Sequence, residues 1–230
     1  MQGTYMGRPI EELGVEARSV FITRVYIHLL VALIGFTVLE MVYFETGLAR
    51  SITAFVAGTS WLLVLGAFMV VGWLASRTAH TAASLGAQYG ALAAYVVAES
   101  LIFVPMLYIA NQLAAGVIQS AATVTLLGAA GLTAVALITR RDFSFLRGIL
   151  MWGGIVALVA IVASVLFGFA MGTWFSVAMI GFAGAAVLYD TSNVLHHYSQ
   201  DRYVAAALAL FASIALMFWY VLRLFMSRDR

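Results

Sequence analysis

Residues 145–169 read FLRGILMWGGIVALVAIVASVLFGF, an unbroken apolar run carrying one charge, Arg147. A membrane-spanning helix needs about 20 mostly apolar residues at roughly 1.5 Å each, and this run supplies them. Six further runs of the same kind lie on either side of it: Phe21 to Phe44, Phe55 to Ala75, Ala82 to Tyr108 and Val117 to Thr139 before it, Trp174 to Leu195 and Val204 to Met226 after it. The whole chain of 230 residues is 64% hydrophobic and 10% charged, whereas charged residues make up about 25% of an ordinary globular chain. The expected fold class is an all-α integral membrane protein, a seven-transmembrane-helix bundle.

No repeat, linker or low-complexity tract divides the chain, so a single membrane domain is expected over 21–226, with a short tail at 1–20 and a short polar tail at 227–230. The first twenty residues contain Glu11, Glu12 and Glu16 and no apolar core. The first span, not a cleaved leader, is therefore expected to direct insertion. Orientation follows from arginine placement. Arg8, Arg18, Arg24, Arg77, Arg140, Arg141, Arg147 and Arg202 fall on the amino-terminal side of the bundle. Arg50, Arg223, Arg228 and Arg230 fall on the other. Eight against four predicts a cytoplasmic amino terminus and an exported carboxyl terminus. The arginine-rich tail dissents, and a re-entrant seventh segment would place both ends inside. Gly86 with Gly90, Gly128 with Gly131, and Gly153-Gly154 have the spacing of close helix contacts.

Composition excludes several chemistries. The chain has no cysteine, and all 12 basic residues are arginine. Disulfides, thiolate metal sites, cysteine nucleophiles, a lysine Schiff base and a phosphate-loop lysine are thereby ruled out. A net charge of +2 is too small to suggest nucleic acid as a partner. The partner that composition does require is the lipid bilayer. No cofactor is expected.

Ionisable groups inside a span cost several kcal/mol unless paired or hydrated, which makes them the first functional candidates. Arg24 and His28 lie four apart on one face of the first span. Glu40 lies towards the far end of that span, Glu99 towards the far end of the third, and Arg223 at a comparable depth in the seventh. Asp190 lies in the sixth span, about 8 Å from its amino-terminal-side end. Plain ion pairing would join Asp190 to Arg24 and Glu99 or Glu40 to Arg223. Asp190, Asn193 and His197, at i, i+3 and i+7, instead form a polar stripe that suggests a hydrated face. Asp190 is expected to face the bundle interior with Ser213, Arg24 or Asn193 as its partner. A metal site of His196, His197, Asp201 and Asp190 is poorly supported, since adjacent helical histidines point roughly 100° apart.

Enzymatic constellations are also missing. Tyr189-Asp190 matches half of an intramembrane aspartyl protease signature, but the seventh span contains no aspartate to complete it. No Gly-x-Ser-Gly tetrad exists for a rhomboid-type serine protease. Only His28 falls within a span as a haem ligand. No enzyme is expected.

Two stretches then become recognisable. Tyr189-Asp190-Thr191-Ser192-Asn193-Val194-Leu195-His196, a short loop, and Ala207-Leu208-Ala209-Leu210-Phe211-Ala212-Ser213 together resemble the carboxyl-terminal signature of the Bax inhibitor family, seven-helix proteins with the TMBIM fold. Thr139-Arg140-Arg141-Asp142-Phe143-Ser144-Phe145-Leu146, followed by Gly148, is similar to the loop before that family's fifth helix. With the spacing of the spans, the likeness covers nearly the whole chain, its specific motifs lying in the second half.

The resemblance implies a multi-pass protein of a bacterial inner (cytoplasmic) membrane, with an organellar membrane as the alternative. It also implies two functions. In the YccA-like branch, members modulate the membrane protease FtsH, so a membrane protease or larger membrane complex is the implied partner. In calcium-leak members, two aspartates in the sixth and seventh helices share protons as a gate, so a pH-sensitive calcium or cation leak is the alternative. Asp190 matches the first aspartate, and Ser213 stands at the second. In the leak reading Asp190, Asn193, His197, Ser213 and Arg24 form the gate or polar stripe. Glu40, Glu45, Glu99 and Arg223 form an outer acidic mouth. Because Ser213 does not titrate, any leak should respond to pH more weakly than in a two-aspartate member, or over a displaced range. The serine tilts the reading towards the YccA-like branch.

Overall fold

The computed structural model of the chain describes residues 9–113 and 115–228; Arg8 and Arg230, both counted for orientation, lie outside the described residues. Eight α-helices follow a short 3-10 turn at Ile10–Glu12 among the described residues. They are α1 (Val15–Glu45), α2 (Leu48–Ala57), α3 (Trp61–Thr81), α4 (Leu85–Leu113), α5 (Val117–Thr139), α6 (Leu146–Phe167), α7 (Thr173–His196) and α8 (Tyr203–Arg228). Seven of them, all but α2, are long and apolar enough to cross a membrane. The protein is an all-α, seven-span membrane bundle.

The helix that sequence reading missed is α2. The expected second run began at Phe55, but Phe55 belongs to α2, and the spanning helix starts only at Trp61. Gly47 turns the chain out of α1 in the left-handed region (φ 77°), where a Cβ would be strained. Gly58-Thr59-Ser60 then separates α2 from α3. Ten residues rise only about 15 Å, so α2 cannot span. It is amphipathic and packs against α1 and α4.

The bundle is built around α8, which contacts α1, α3, α4, α5 and α7. Ala205, Ala206 and Ala207 are fully buried at its start, and such small side chains let neighbouring backbones approach closely. In contrast, α6 is the most exposed span, with Ala157 its one buried residue. Its apolar surface faces lipid, as expected of a helix that is hydrophobic all round. The helix α8 runs without interruption from Tyr203 to Arg228, which leaves no re-entrant segment there. Pro105 is accommodated inside α4, as membrane helices allow.

Only some of the expected glycine contacts form. A Cβ at Gly153 would meet Phe182 Cε2 of α7 at 2.9 Å, and one at Gly128 would meet Met217 Sδ of α8 at 3.7 Å. Gly86, Gly90 and Gly131 have nothing within 4 Å of that position, so these three do not mark a helix crossing. Gly153→Ala should therefore force α6 away from α7 and cost about 1–3 kcal/mol, the usual range for overpacking. Gly90→Ala should be neutral or better, and thermal denaturation in detergent compares the two.

Candidate functional site

The polar residue deepest in the signature stretch, Asp190, lies on α7 two turns before that helix ends. It turns towards α8, where Ser213 Oγ donates a hydrogen bond to Asp190 Oδ2 at 2.5 Å. Ser213 is buried and Asp190 partly buried. This pair sits at the α7–α8 contact, the most extensive in the bundle. Short hydrogen bonds to a carboxyl group are among the stronger ones, and a buried partner is costly to remove. Of the three partners expected for Asp190, the structure therefore brings it Ser213.

Neither of the other two hydrogen-bonds to Asp190 among the described residues. Arg24 is exposed, with its guanidinium 5.5 Å from the centre of the Tyr203 ring. The main-chain carbonyl of Asn193 accepts the backbone N–H groups of His197 and Tyr198, closing the end of α7. The stripe consequently divides: Asp190 points to α8, while His197 is exposed and faces Asp142 Oδ2 of the α5–α6 loop at 3.7 Å. His196 Nδ1 instead donates to the Ser192 carbonyl at 3.0 Å.

The α5–α6 loop is held to α7 by Ser192. Its Oγ accepts the Phe143 N–H at 2.9 Å, and Asp142 Oδ1 accepts the Ser144 N–H at 2.8 Å. That bond from Ser144 is the main cause holding the exposed Asp142 carboxyl below its ordinary value, with His197 and His196 contributing. A carboxylate with a lowered folded value contributes stability that is present above the ordinary range near pH ~4 and lost as pH falls through the lowered value. Acidification below about pH 4 should thus loosen this loop, with faster amide exchange at Ser144. Asp142→Asn should abolish that pH dependence.

Sequence reading overlooked a set of aromatic and histidine contacts on the same face. His28 Nδ1 donates to the Arg24 carbonyl at 2.6 Å, so Nε2 is free to accept from the Tyr89 hydroxyl at 3.0 Å. Tyr89 in turn lies 3.3 Å from the Tyr203 hydroxyl. His80 repeats the arrangement: Nδ1 donates to Ser76 O at 2.7 Å, and Nε2 faces the Tyr198 hydroxyl at 3.2 Å. Burial, and next the nearby Asp190 carboxylate, raise the Tyr198 phenol well above its ordinary value, which keeps it a hydrogen-bond donor. Tyr198 O also accepts the Ile10 N–H at 2.9 Å, and Pro9 bridges Ser199. Ile10 is fully buried, so the amino-terminal segment is pinned across the α7–α8 loop. The local signal available in the sequence was Tyr198 itself, directly after the paired histidines.

At the opposite end the expected mouth residues separate. Among the described residues Arg223 pairs with no carboxylate; it donates to the Met171 carbonyl at 2.9 Å and lies 5.9 Å from the Phe175 ring centre. Glu99 and Arg223 line one cavity of about 760 Å³, which Glu40 and Glu45 do not line. Glu40 is buried with neither carboxyl oxygen hydrogen-bonded to a described residue, and Glu45 is exposed.

Comparison with known proteins agrees with this architecture. The family described as inhibitor of apoptosis-promoting Bax1 matches residues 18–230. An uncharacterized protein of Pseudomonas aeruginosa is 36% identical over 110 residues, 47% of this chain and 49% of the relative. The modulator of FtsH protease YccA of Escherichia coli K12 is 35% identical over 100 residues, 42% of this chain and 45% of the relative. The inner membrane protein YccA of Escherichia coli O6:H1 gives the same figures. The chain thus aligns with slightly less than half the length of these relatives.

Proposed function

This chain belongs to the Bax inhibitor family, and from that premise we propose that it is a non-enzymatic regulatory partner of a membrane protease complex of the FtsH type, in a bacterial inner membrane. The observation that carries the reading is its likeness to the named protease modulator. Two features favour it. The second carboxylate of a proton-sharing gate is replaced by Ser213. The amino-terminal segment, the two loops and the histidine–tyrosine contacts knit one face into a firm docking platform. The arginine excess on that face supports a cytoplasmic placement, where a cytosolic protease domain would meet it.

The test is co-reconstitution of the protease and a membrane substrate with and without this protein. Slower substrate turnover, together with recovery of the protease in a mild-detergent pull-down, is expected. Unchanged turnover with no recovered protease would defeat the proposal.

A second reading, a cation leak with Asp190 at the gate, is favoured by the Ser213–Asp190 bond at the α7–α8 contact. Here Asn193, His197 and Arg24 would border the inner side, and Glu40, Glu45, Glu99 and Arg223 the outer. Purified protein in calcium-loaded liposomes separates the readings, because a leak needs no partner protein. Flux that Asp190→Asn alters supports the leak.

A further inference from the structure

The cavity of about 760 Å³ between α3, α4, α6, α8 and the start of α7 is a separate feature from the Asp190–Ser213 pair and from the platform around Tyr198. Its volume lies within the ordinary range of small-molecule sites. Among the described residues its lining combines large aromatic rings with a single carboxyl group. Trp61 and Trp219 stack with ring centres 6.2 Å apart and planes 22° from parallel, and Phe103 meets Trp219 edge-on at 5.0 Å. All three border the cavity. Glu99, 5% exposed, also borders it, and its Oε2 has no hydrogen-bond partner among the described residues. Tyr95, also buried, lies one turn earlier on α4.

A buried carboxyl oxygen without a partner is expensive in an apolar span. A ligand that supplies positive charge there offsets that cost. Aromatic faces attract the same kind of charge, and most strongly when it is poorly hydrated. A calcium-like ion is a poor match, since it requires six to eight oxygen ligands. No group of three or more metal-ligating side chains occurs among the described residues. An organic cation with an apolar body fits both the aromatic walls and the lone carboxyl group.

We propose that this cavity binds an organic ammonium ion, with Glu99 as counter-ion and Trp61, Phe103 and Trp219 as its aromatic walls. Arg223 stands at the end nearer the carboxyl terminus, held by the Met171 carbonyl and the Phe175 ring. Its charge opposes the ligand, so neutralising it strengthens binding. This opposite dependence on Glu99 and Arg223 distinguishes a cation site from a pocket for anionic or neutral lipid.

The experiment titrates purified protein in nonionic detergent with phenyltrimethylammonium, with its uncharged carbon isostere tert-butylbenzene, and with benzenesulfonate. Tryptophan fluorescence and melting temperature are the readouts. Saturable quenching by phenyltrimethylammonium, with binding about tenfold or more tighter than either comparison compound, is expected. Glu99→Gln should weaken it about tenfold, Glu99→Asp should retain most of it, and Arg223→Gln should tighten it. Equal binding of tert-butylbenzene would reveal a nonspecific apolar cavity and overturn the proposal. So would tighter binding of benzenesulfonate that Arg223→Gln abolishes. If Glu99→Gln fails to fold, the comparison of the three compounds on the unaltered protein decides the question.

Discussion

Replacing Ser213 by leucine should destabilise the bundle by about 2–6 kcal/mol, the sum of about 1–3 for stranding a buried polar partner and about 1–3 for overpacking. The cause is local. Ser213 donates to Asp190 Oδ2 at 2.5 Å across the α7–α8 contact, and leucine both removes that donor and inserts three additional carbon atoms beside buried Ile214 and Leu210. Ser213→Ala removes the donor without the bulk and should cost only the first part. Equilibrium unfolding in mixed micelles measures both, and equal stability of the leucine variant and the wild type would mean that the bond contributes nothing. Ser213→Asp asks a different question. Two carboxyl groups at this separation titrate as a coupled pair. If the cation-leak reading holds, the flux of that variant should depend more steeply on pH than that of the wild type. Identical flux-versus-pH curves from two folded proteins would show that no gate operates at these positions.

Phe103→Ala should be of similar or greater consequence, about 3–5 kcal/mol by the usual cost of removing a buried phenylalanine ring. Phe103 is 1% exposed on α4. Its ring stacks on Phe218 at 5.5 Å, meets Trp219 edge-on at 5.0 Å and Phe36 edge-on at 5.2 Å. One side chain thereby joins α1, α4 and α8. Lipid tails are as apolar as the protein interior, so burial of this ring contributes through packing more than through escape from water. Its removal leaves a void with no atoms to replace those contacts. Phe103→Leu fills part of the void and should recover part of the loss. A melting temperature unchanged by Phe103→Ala would contradict this role.

The apolar runs alone determined the fold class. The run from Val117 to Thr139 is a helix with those same bounds, and Trp174 to Leu195 differs from α7 by one residue at each end. Backbone groups in hydrocarbon must be satisfied within the segment, so a long apolar run has essentially one solution. The boundary between α2 and α3 was not legible in the same way. Phe55 and Val56 are as apolar as a span, and only the Gly58-Thr59-Ser60 break divides the two helices.

Pairing of polar residues lay beyond the sequence for a different reason. Helical spacing places Asp190, Asn193 and His197 near one face, but it does not specify which neighbouring helix meets each of them. Tertiary packing gave Asp190 to Ser213, His197 to the Asp142 loop and Arg223 to the Met171 carbonyl. It also placed Tyr198 between Ile10 and His80, both far earlier in the chain. Charge in a membrane must find some partner, and that requirement is readable residue by residue. The identity of the partner depends on rotations and crossings of whole helices, which are decided by the packing of many small and aromatic side chains at once.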